Sequence, residues 1–264
     1  MDLVTHEPAV RLAIFAAAFA LIAAFEFVTP RRPLALARRW PSNLGIVLLN
    51  TLLVRALLPV TAVSMALLVE EQGWGLFHAF GPLPSWLVVP ATVVLLDLAI
   101  YLRHILFHAV PVLWRLHRMH HADLDVDVTT GARFHPVEIV LSMLLKFGVI
   151  AALGASPLGV LVFEILLSTG SLFNHGNLRL PLRADGMLRW IVVTPDMHRV
   201  HHSVAPEETN RNFGFTLSCW DRVCGTYRAQ PAAGHAGMTL GIAQFRTRRD
   251  LRLDRLLLQP LLDP

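Results

Sequence analysis

Apolar residues in this chain fall in long blocks rather than in the alternating or one-face patterns of soluble strands and helices. A helix needs about 20 mostly apolar residues to cross a bilayer. The first block, roughly Ala9 to Val28, meets that length, with Arg11 and Glu26 near enough to its ends to snorkel; Pro30 and Pro33 end it. Its apolar run from Leu12 to Phe25 follows Asp2, Glu7 and Arg11 rather than a basic leader, so it reads as a retained spanning helix and not a cleaved signal. A second block, roughly Leu44 to Val69, contains Arg55 and Pro59. A third starts near Trp86 and runs through Asp97 and Tyr101. Between Val137 and Phe173 two shorter segments flank the turn signal Gly154 to Gly159. Each has about 17 residues, or about 25 Å of helix at 1.5 Å per residue, which barely spans. The pattern predicts an all-α integral membrane protein: three spanning helices plus a short helical hairpin.

Charge orients this arrangement. The loop with Arg31, Arg32, Arg38 and Arg39 has no acid and is expected at the cytoplasmic face, whereas the loop beginning Glu70-Glu71 has no Lys or Arg and is expected outside. The N-terminus is then outside, the third span ends at the cytoplasmic side, and both ends of the hairpin return there. Lys146 and Glu164 are equally far from Ala155 and are expected to pair across the hairpin, because an unpartnered charge at that depth is costly. Arg55 reads either as functional or as lying near the interface. The tail from Phe245 to Leu262 sets Arg246, Arg248, Arg249, Arg252 and Arg255 beside leucines, the pattern of a basic helix lying on a membrane. Composition agrees: 54% of residues are hydrophobic, only 16% are charged, and the net charge of +4 marks membrane contact before it suggests nucleic acid. Cys219 and Cys224 have the wrong spacing for a redox or zinc pair and read as structural thiols. Residues 1–264 form one membrane domain: 1–103 mainly transmembrane, 104–235 histidine-rich and including the 137–173 hairpin, 236–264 the basic tail.

The candidate chemistry lies in the histidines. Of 13, ten lie between His104 and His202: His104 and His108 in H-x-x-x-H, His117, His120 and His121 in H-x-x-H-H, His198, His201 and His202 in H-x-x-H-H again, and His135 and His175 singly. On a helix, positions i, i+3 and i+4 share one side, so each motif offers its imidazoles together. Ten nitrogen donors exceed the needs of one ion, and two ions with four or five ligands each would use the set. The topology brings all of them to the cytoplasmic face as a helical, histidine-rich metal cap. Asp97, Asn174 and Asp196, with Asn177, are candidates to accept the outer N–H of a ligating imidazole. No H-E-x-x-H occurs, and no acid stands obviously among the clusters as a general base. His6, His78 and His235 read as ordinary structural histidines.

These motifs, with Leu113-Trp114-Arg115-Leu116-His117, Arg133-Phe134-His135-Pro136-Val137-Glu138, Asn174-His175-Gly176-Asn177, Thr194-Pro195-Asp196-Met197-His198, Asn212-Phe213-Gly214, Trp220-Asp221-Arg222 and Gly225-Thr226-Tyr227, resemble the fatty acid hydroxylase / sterol desaturase superfamily over roughly Asp97 to Arg228. Where members often carry Arg directly after the first histidine, this chain has Ile105, with Arg103 before His104. The resemblance implies two non-haem iron ions, zinc being able to replace them in a purified sample, with O2 as co-substrate. It implies oxidation of an unactivated C–H bond in a lipid-like substrate (fatty acyl, sterol or hopanoid) that enters from the bilayer, giving an alcohol or an alkene. No dinucleotide motif, P-loop or cluster-binding Cys set is present, so a separate electron donor (ferredoxin, cytochrome or reductase) is expected. A bacterial inner membrane is the expected location. The competing readings are a bis-histidine haem electron carrier and a zinc-binding transporter or hydrolase.

Overall fold

The structure, a computed structural model, describes residues 4–33 and 36–262, and of residues 36–38 the backbone only. Asp2 and the side chain of Arg38, used above in the charge argument, lie outside what is described. The described residues are helical, with three isolated bridges and no strand. The principal helices are α1 (Glu7–Val28), α2 (Leu36–Leu57), α3 (Ala62–Gln72), α4 (Leu76–Ala79), α5 (Ser85–Ala109), α6 (Pro111–His121), α7 (Pro136–Leu153), α8 (Pro157–His175), α9 (Leu182–Leu188) and α10 (Pro195–His201). Among the described residues, five stretches are long and apolar enough to cross a membrane by length and composition: Glu7–Val28, Arg39–Ala79, Ser85–Ala109, Pro136–Leu153 and Pro157–His175.

α8 is the central element, packed by α5 on one side, α1 on another and α3 on a third. The core joins Ala62, Val63, Ala66 and Val69 of α3 to Leu96 and Ile100 of α5, Ile150 of α7 and Val160, Leu161 and Phe163 of α8. α1 and α8 run in the same direction, with Arg11 beside Glu164 and Ile22 against Gly176. The α7–α8 hairpin turns at Gly154, whose φ of 70° closes α7 in the left-handed region. Gly75 backs directly onto that turn: a Cβ there would fall 2.1 Å from the Gly154 nitrogen. The α3–α4 connection therefore sits at the hairpin tip, and the histidines sit at the opposite end.

The expected pair between Lys146 and Glu164 is present, Nζ hydrogen-bonding Oε1. Arg11 joins it at 2.6 Å and lies 3.4 Å from Glu7, so four charges alternate across α7, α8 and α1. The expected single span from Leu44 to Val69 is instead two helices. Pro59 has no N–H to donate, and Thr61 restarts the chain by accepting the Ser64 N–H at 3.0 Å. α2 also begins earlier than its apolar block: Asn43 donates to Thr129 at 2.8 Å and Asn50 to the Phe134 carbonyl at 2.8 Å. Arg55 follows Asn50 by five residues, about 7 Å along the helix, and is exposed.

The tail is a 3-10 turn (Arg248–Leu251), a six-residue helix (Leu253–Leu258) and a second 3-10 turn (Gln259–Leu261), rather than one continuous helix. Leu251 and Leu256 turn inward, Leu256 packing with Ile46 and Met119, whereas Leu258 and Leu261 are exposed. Arg115 and Arg118 hold its carbonyls at Pro260, Gln259 and Leu262. Cys219 and Cys224 are free thiols.

Candidate metal centre

Nine histidines converge in two groups, His104, His108, His117, His121 and His201 in one and His120, His175, His198 and His202 in the other. Within each group one ring nitrogen from every residue lies within 4.8 Å of all the others. Helix geometry explains the sorting. At about 100° per residue, positions i and i+4 differ by about 40° and position i+3 falls about 60° to the other side. His117 and His121 therefore enter one group and His120 the other. The second motif mirrors this: His198 and His202 enter one group, and His201 crosses to the other. His104 and His108 come from the last turns of α5 and His175 from the end of α8.

The outer ring nitrogens fix which atom faces inward. His104 Nδ1 donates to the Phe213 carbonyl (2.7 Å), His117 to Glu138 Oε1 (2.8 Å), His120 to the Arg133 carbonyl (3.1 Å), His175 to the Ser171 carbonyl (2.8 Å) and His201 to the Arg211 carbonyl (2.8 Å). A neutral imidazole has one N–H, so each of these rings presents a bare Nε2 to the centre. Those lone pairs face one another: Nε2 atoms are 3.1 Å apart in His104–His117 and His120–His175, and 3.0 Å apart in His104–His201. Facing lone pairs cannot hydrogen-bond and repel unless a cation lies between them.

Further atoms in the site lack any partner. His121 Nδ1, His198 Nδ1 and both nitrogens of His202 are buried without a hydrogen bond, at a cost of about 1–3 kcal/mol each where nothing binds them. Burial, reinforced by the neighbouring imidazoles, pushes the pKa of His120, His121, His198, His201 and His202 well below the ordinary 6.5, which keeps these rings neutral and able to ligate. The donor set fits two metal ions.

His135 stands outside both groups. Its Nδ1 accepts the Val137 N–H at 3.2 Å, capping α7, and its Nε2 donates to the Leu257 carbonyl in the tail at 3.2 Å. Of the ten histidines expected to ligate, nine therefore fall in the two groups and His135 does not. His6 and His78 are exposed and His235 is buried near Asp196, none of them within a group.

Asp97, Asn174 and Asp196 do not accept a proton from any of the nine rings. Asp97 accepts from Trp220 (2.9 Å) and from the Leu217 N–H (3.2 Å); Asn174 donates to the Phe215 carbonyl at 2.6 Å. Both therefore hold the loop that follows Asn212. Asp221 does the same by accepting the Phe213 and Gly214 N–H groups at 2.8 and 2.9 Å. Gly214 is required there, since a Cβ would fall 2.8 Å from Asp221 Oδ2. Asp196 ties Arg31 to Arg199, and Asn177 brackets the backbone of Arg32.

A buried acid that the sequence reading did not single out stands beside the cluster. Glu138, fully buried, accepts from His117 and lies 3.9 Å from Arg103. It is one turn into α7 from His135 in the same Arg-Phe-His-Pro-Val-Glu motif, which is the signal that could have located it. It contacts the outer nitrogen of His117, so it orients a ring rather than facing the space between the groups. The loop supplying the Arg133 carbonyl is itself tied down by charge: Arg39 and Arg133 lie 2.8 and 3.1 Å from Asp123, and Arg39 also binds Asp127. Burial alone would raise the Asp123 pKa, but the two arginines outweigh it and hold the carboxyl below its usual range.

Comparison with known proteins agrees with this geometry. The fatty acid hydroxylase family model matches residues 89–226, just over half of the chain. An ornithine lipid hydroxylase of Rhizobium tropici is 31% identical over 57% of this chain and 45% of its own. An alkylglycerol monooxygenase of Xenopus tropicalis is 28% identical over 56% of this chain and 32% of its own, and a cholesterol 25-hydroxylase of Rattus norvegicus 30% identical over 52% and 45%. The chain thus spans less than half the length of these curated relatives. No solved structure matches it. The matched region contains all nine converging histidines, and on it the chain belongs to the fatty acid hydroxylase family.

Proposed function

We propose that the chain is a lipid hydroxylase that uses two iron ions and O2 at one face of a membrane. The observation that carries this reading is the pair of buried histidine groups whose inward nitrogens face one another at 3.0–3.1 Å while oxygen acceptors hold the outer nitrogens of His104, His117, His120, His175 and His201. His104, His108, His117, His121 and His201 would hold one ion, and His120, His175, His198 and His202 the other. The ions supply O2 activation when bound. The chain supplies the rest: Glu138 and the carbonyls of Phe213, Arg133, Ser171 and Arg211 fix each ring's tautomer and direction, and burial excludes bulk water. Neighbouring Nε2 atoms this close leave no room for a macrocycle plane, which sets aside the bis-histidine haem reading.

The reaction is R–H + O2 + two electrons + two protons → R–OH + H2O. The relatives named above are hydroxylases or monooxygenases, which supports an alcohol product over an alkene. Five apolar stretches around the site support a substrate drawn from the bilayer, of fatty acyl, sterol, hopanoid or related type. The electrons come from a separate ferredoxin, cytochrome or reductase. We place the metal cap at the cytoplasmic face of a bacterial inner membrane with the N-terminus outside, because Arg31, Arg32 and Arg39 lie at the cap end and Glu70 and Glu71 at the other. Lipid mass spectrometry of cells with and without the gene, grown under 18O2, tests the reading. One lipid class should gain a single labelled oxygen; absence of any oxygen-dependent difference would overturn it.

A further inference from the structure

A cavity of about 290 Å³ opens beside the histidine cap, lined by Ile22 of α1, by Leu166 and Gly170 of α8, and by Val193, Phe215 and Thr216 of the loops that follow. Its walls are almost wholly apolar, so hydrocarbon is the filling they favour. Most of its lining comes from α1 and α8, both long and apolar enough to lie in a bilayer. Ligand pockets commonly span roughly 300–1,000 Å³, so the cavity takes part of one chain rather than a whole lipid.

What separates this crevice from an ordinary gap between lipid-facing helices is its back wall. The Phe215 ring lies 5.2 Å from the ring of His104 in one histidine group and 6.2 Å from His198 in the other. Phe134 makes a parallel connection, 4.5 Å from His120 and 6.3 Å from His117, and lies 6.2 Å from Phe215. Two phenyl rings thus bridge both groups, and one of them faces the groove. Asn174 fixes the Phe215 backbone through its carbonyl, and Asp97 fixes Leu217 two residues on. The ring is thereby held between hydrocarbon and imidazole.

We infer that this groove binds one hydrocarbon chain of a membrane lipid entering sideways from the bilayer, and that Phe215 is the wall between that chain and the metal positions. The inference rests on the proposed lipid oxidation for its purpose but not for its test. Gly170 offers the means: a Cβ there would meet the Thr216 side chain at 3.4 and 3.6 Å and the Phe215 carbonyl oxygen at 3.8 Å, all ordinary contacts, so a side chain can be introduced at the groove wall.

The experiment uses the full chain in nanodiscs containing a phosphatidylethanolamine with a mid-chain diazirine on one acyl tail. After photolysis, adducts are mapped by peptide mass spectrometry. The wild type should label groove residues such as Leu166 and Phe215 at least about fivefold more than Leu44, Leu48 and Leu52, which are lipid-accessible on the outside of α2. Gly170→Leu should abolish that excess while leaving the α2 labelling and the bound metal unchanged. Equal labelling of groove and α2 in the wild type overturns the inference, because the crevice then holds only annular lipid. Retention of the excess in Gly170→Leu overturns it too. Should the folded variant prove unobtainable, the wild-type ratio still decides. Groove labelling without any 18O incorporation would leave the binding site standing and remove the proposed reaction.

Discussion

His135 and His175 stand at opposite ends of the α7–α8 hairpin and reach the same end of the molecule, yet only His175 turns its Nε2 toward other imidazoles. His135 is the N-cap of α7, immediately before Pro136, and its ring accepts a backbone N–H there. His175→Ala should therefore lower bound metal by about half, removing a ligand from the four-histidine group. His135→Ala should leave metal content unchanged and cost about 0.5–2 kcal/mol of stability, the usual loss of a cap. Metal analysis and thermal unfolding on the same two preparations check both. The neutral rings also predict a pH dependence. His120, His121, His198, His201 and His202 have folded-state pKa values depressed below 6.5, so the unfolded chain takes up protons that the folded chain refuses. The stability they permit is present above pH 6.5 and is lost progressively as pH falls below it. The metal-free protein should melt at clearly lower temperature at pH 5.5 than at 7.5, and an unchanged midpoint would contradict this.

Among the elements, helical periodicity made the H-x-x-H-H motifs legible, because i, i+3 and i+4 are fixed by the turn of the helix whatever surrounds it. The pairing of Lys146 with Glu164 was legible for a similar reason: equal distance from a Gly-Pro-rich turn sets equal depth in a hairpin. Arg11 was not, since its approach to Glu164 depends on α1 packing parallel to α8, which no local pattern encodes. Likewise the role of Glu138 depends on α7 crossing α6 at His117, and the break at Pro59 on whether the chain continues past a proline or stops there. Arg11 changes the expected behaviour of the buried charges. Lys146→Met leaves Glu164 with Arg11, whereas Glu164→Gln leaves two cations facing each other without an acid between them. Breaking a buried pair typically costs about 3–5 kcal/mol, and that range should apply to Glu164→Gln. Lys146→Met should cost less, and the double variant should be milder than Glu164→Gln alone. Thermal unfolding in one detergent or nanodisc composition ranks the three; Lys146→Met as the most harmful would sink the four-charge description.

At the scale of the whole molecule, the basic charge that orients the chain in sequence is largely consumed inside it. Arg31 binds Asp196, Arg32 binds the carbonyls of His235 and Met238, and Arg39 binds Asp123 and Asp127. These arginines fasten the ends of α1 and α2 to the metal cap, so they are not available to a soluble partner. Arg248 and Arg249 are different: both are exposed, and both stand on the tail that α2 and α6 hold at the cap end. If an acidic electron donor docks at this face, these two are among the charges it meets, and exposed charges act mainly on encounter rate and its salt dependence. Arg248→Glu with Arg249→Glu should raise the KM for the donor several-fold at low salt, flatten its dependence on ionic strength, and leave both bound metal and turnover at saturating donor unchanged. A turnover loss with unaltered KM would place the two arginines in the fold rather than at a docking surface. An unaltered salt profile in both proteins would mean that the donor approaches another face or is not recruited by charge.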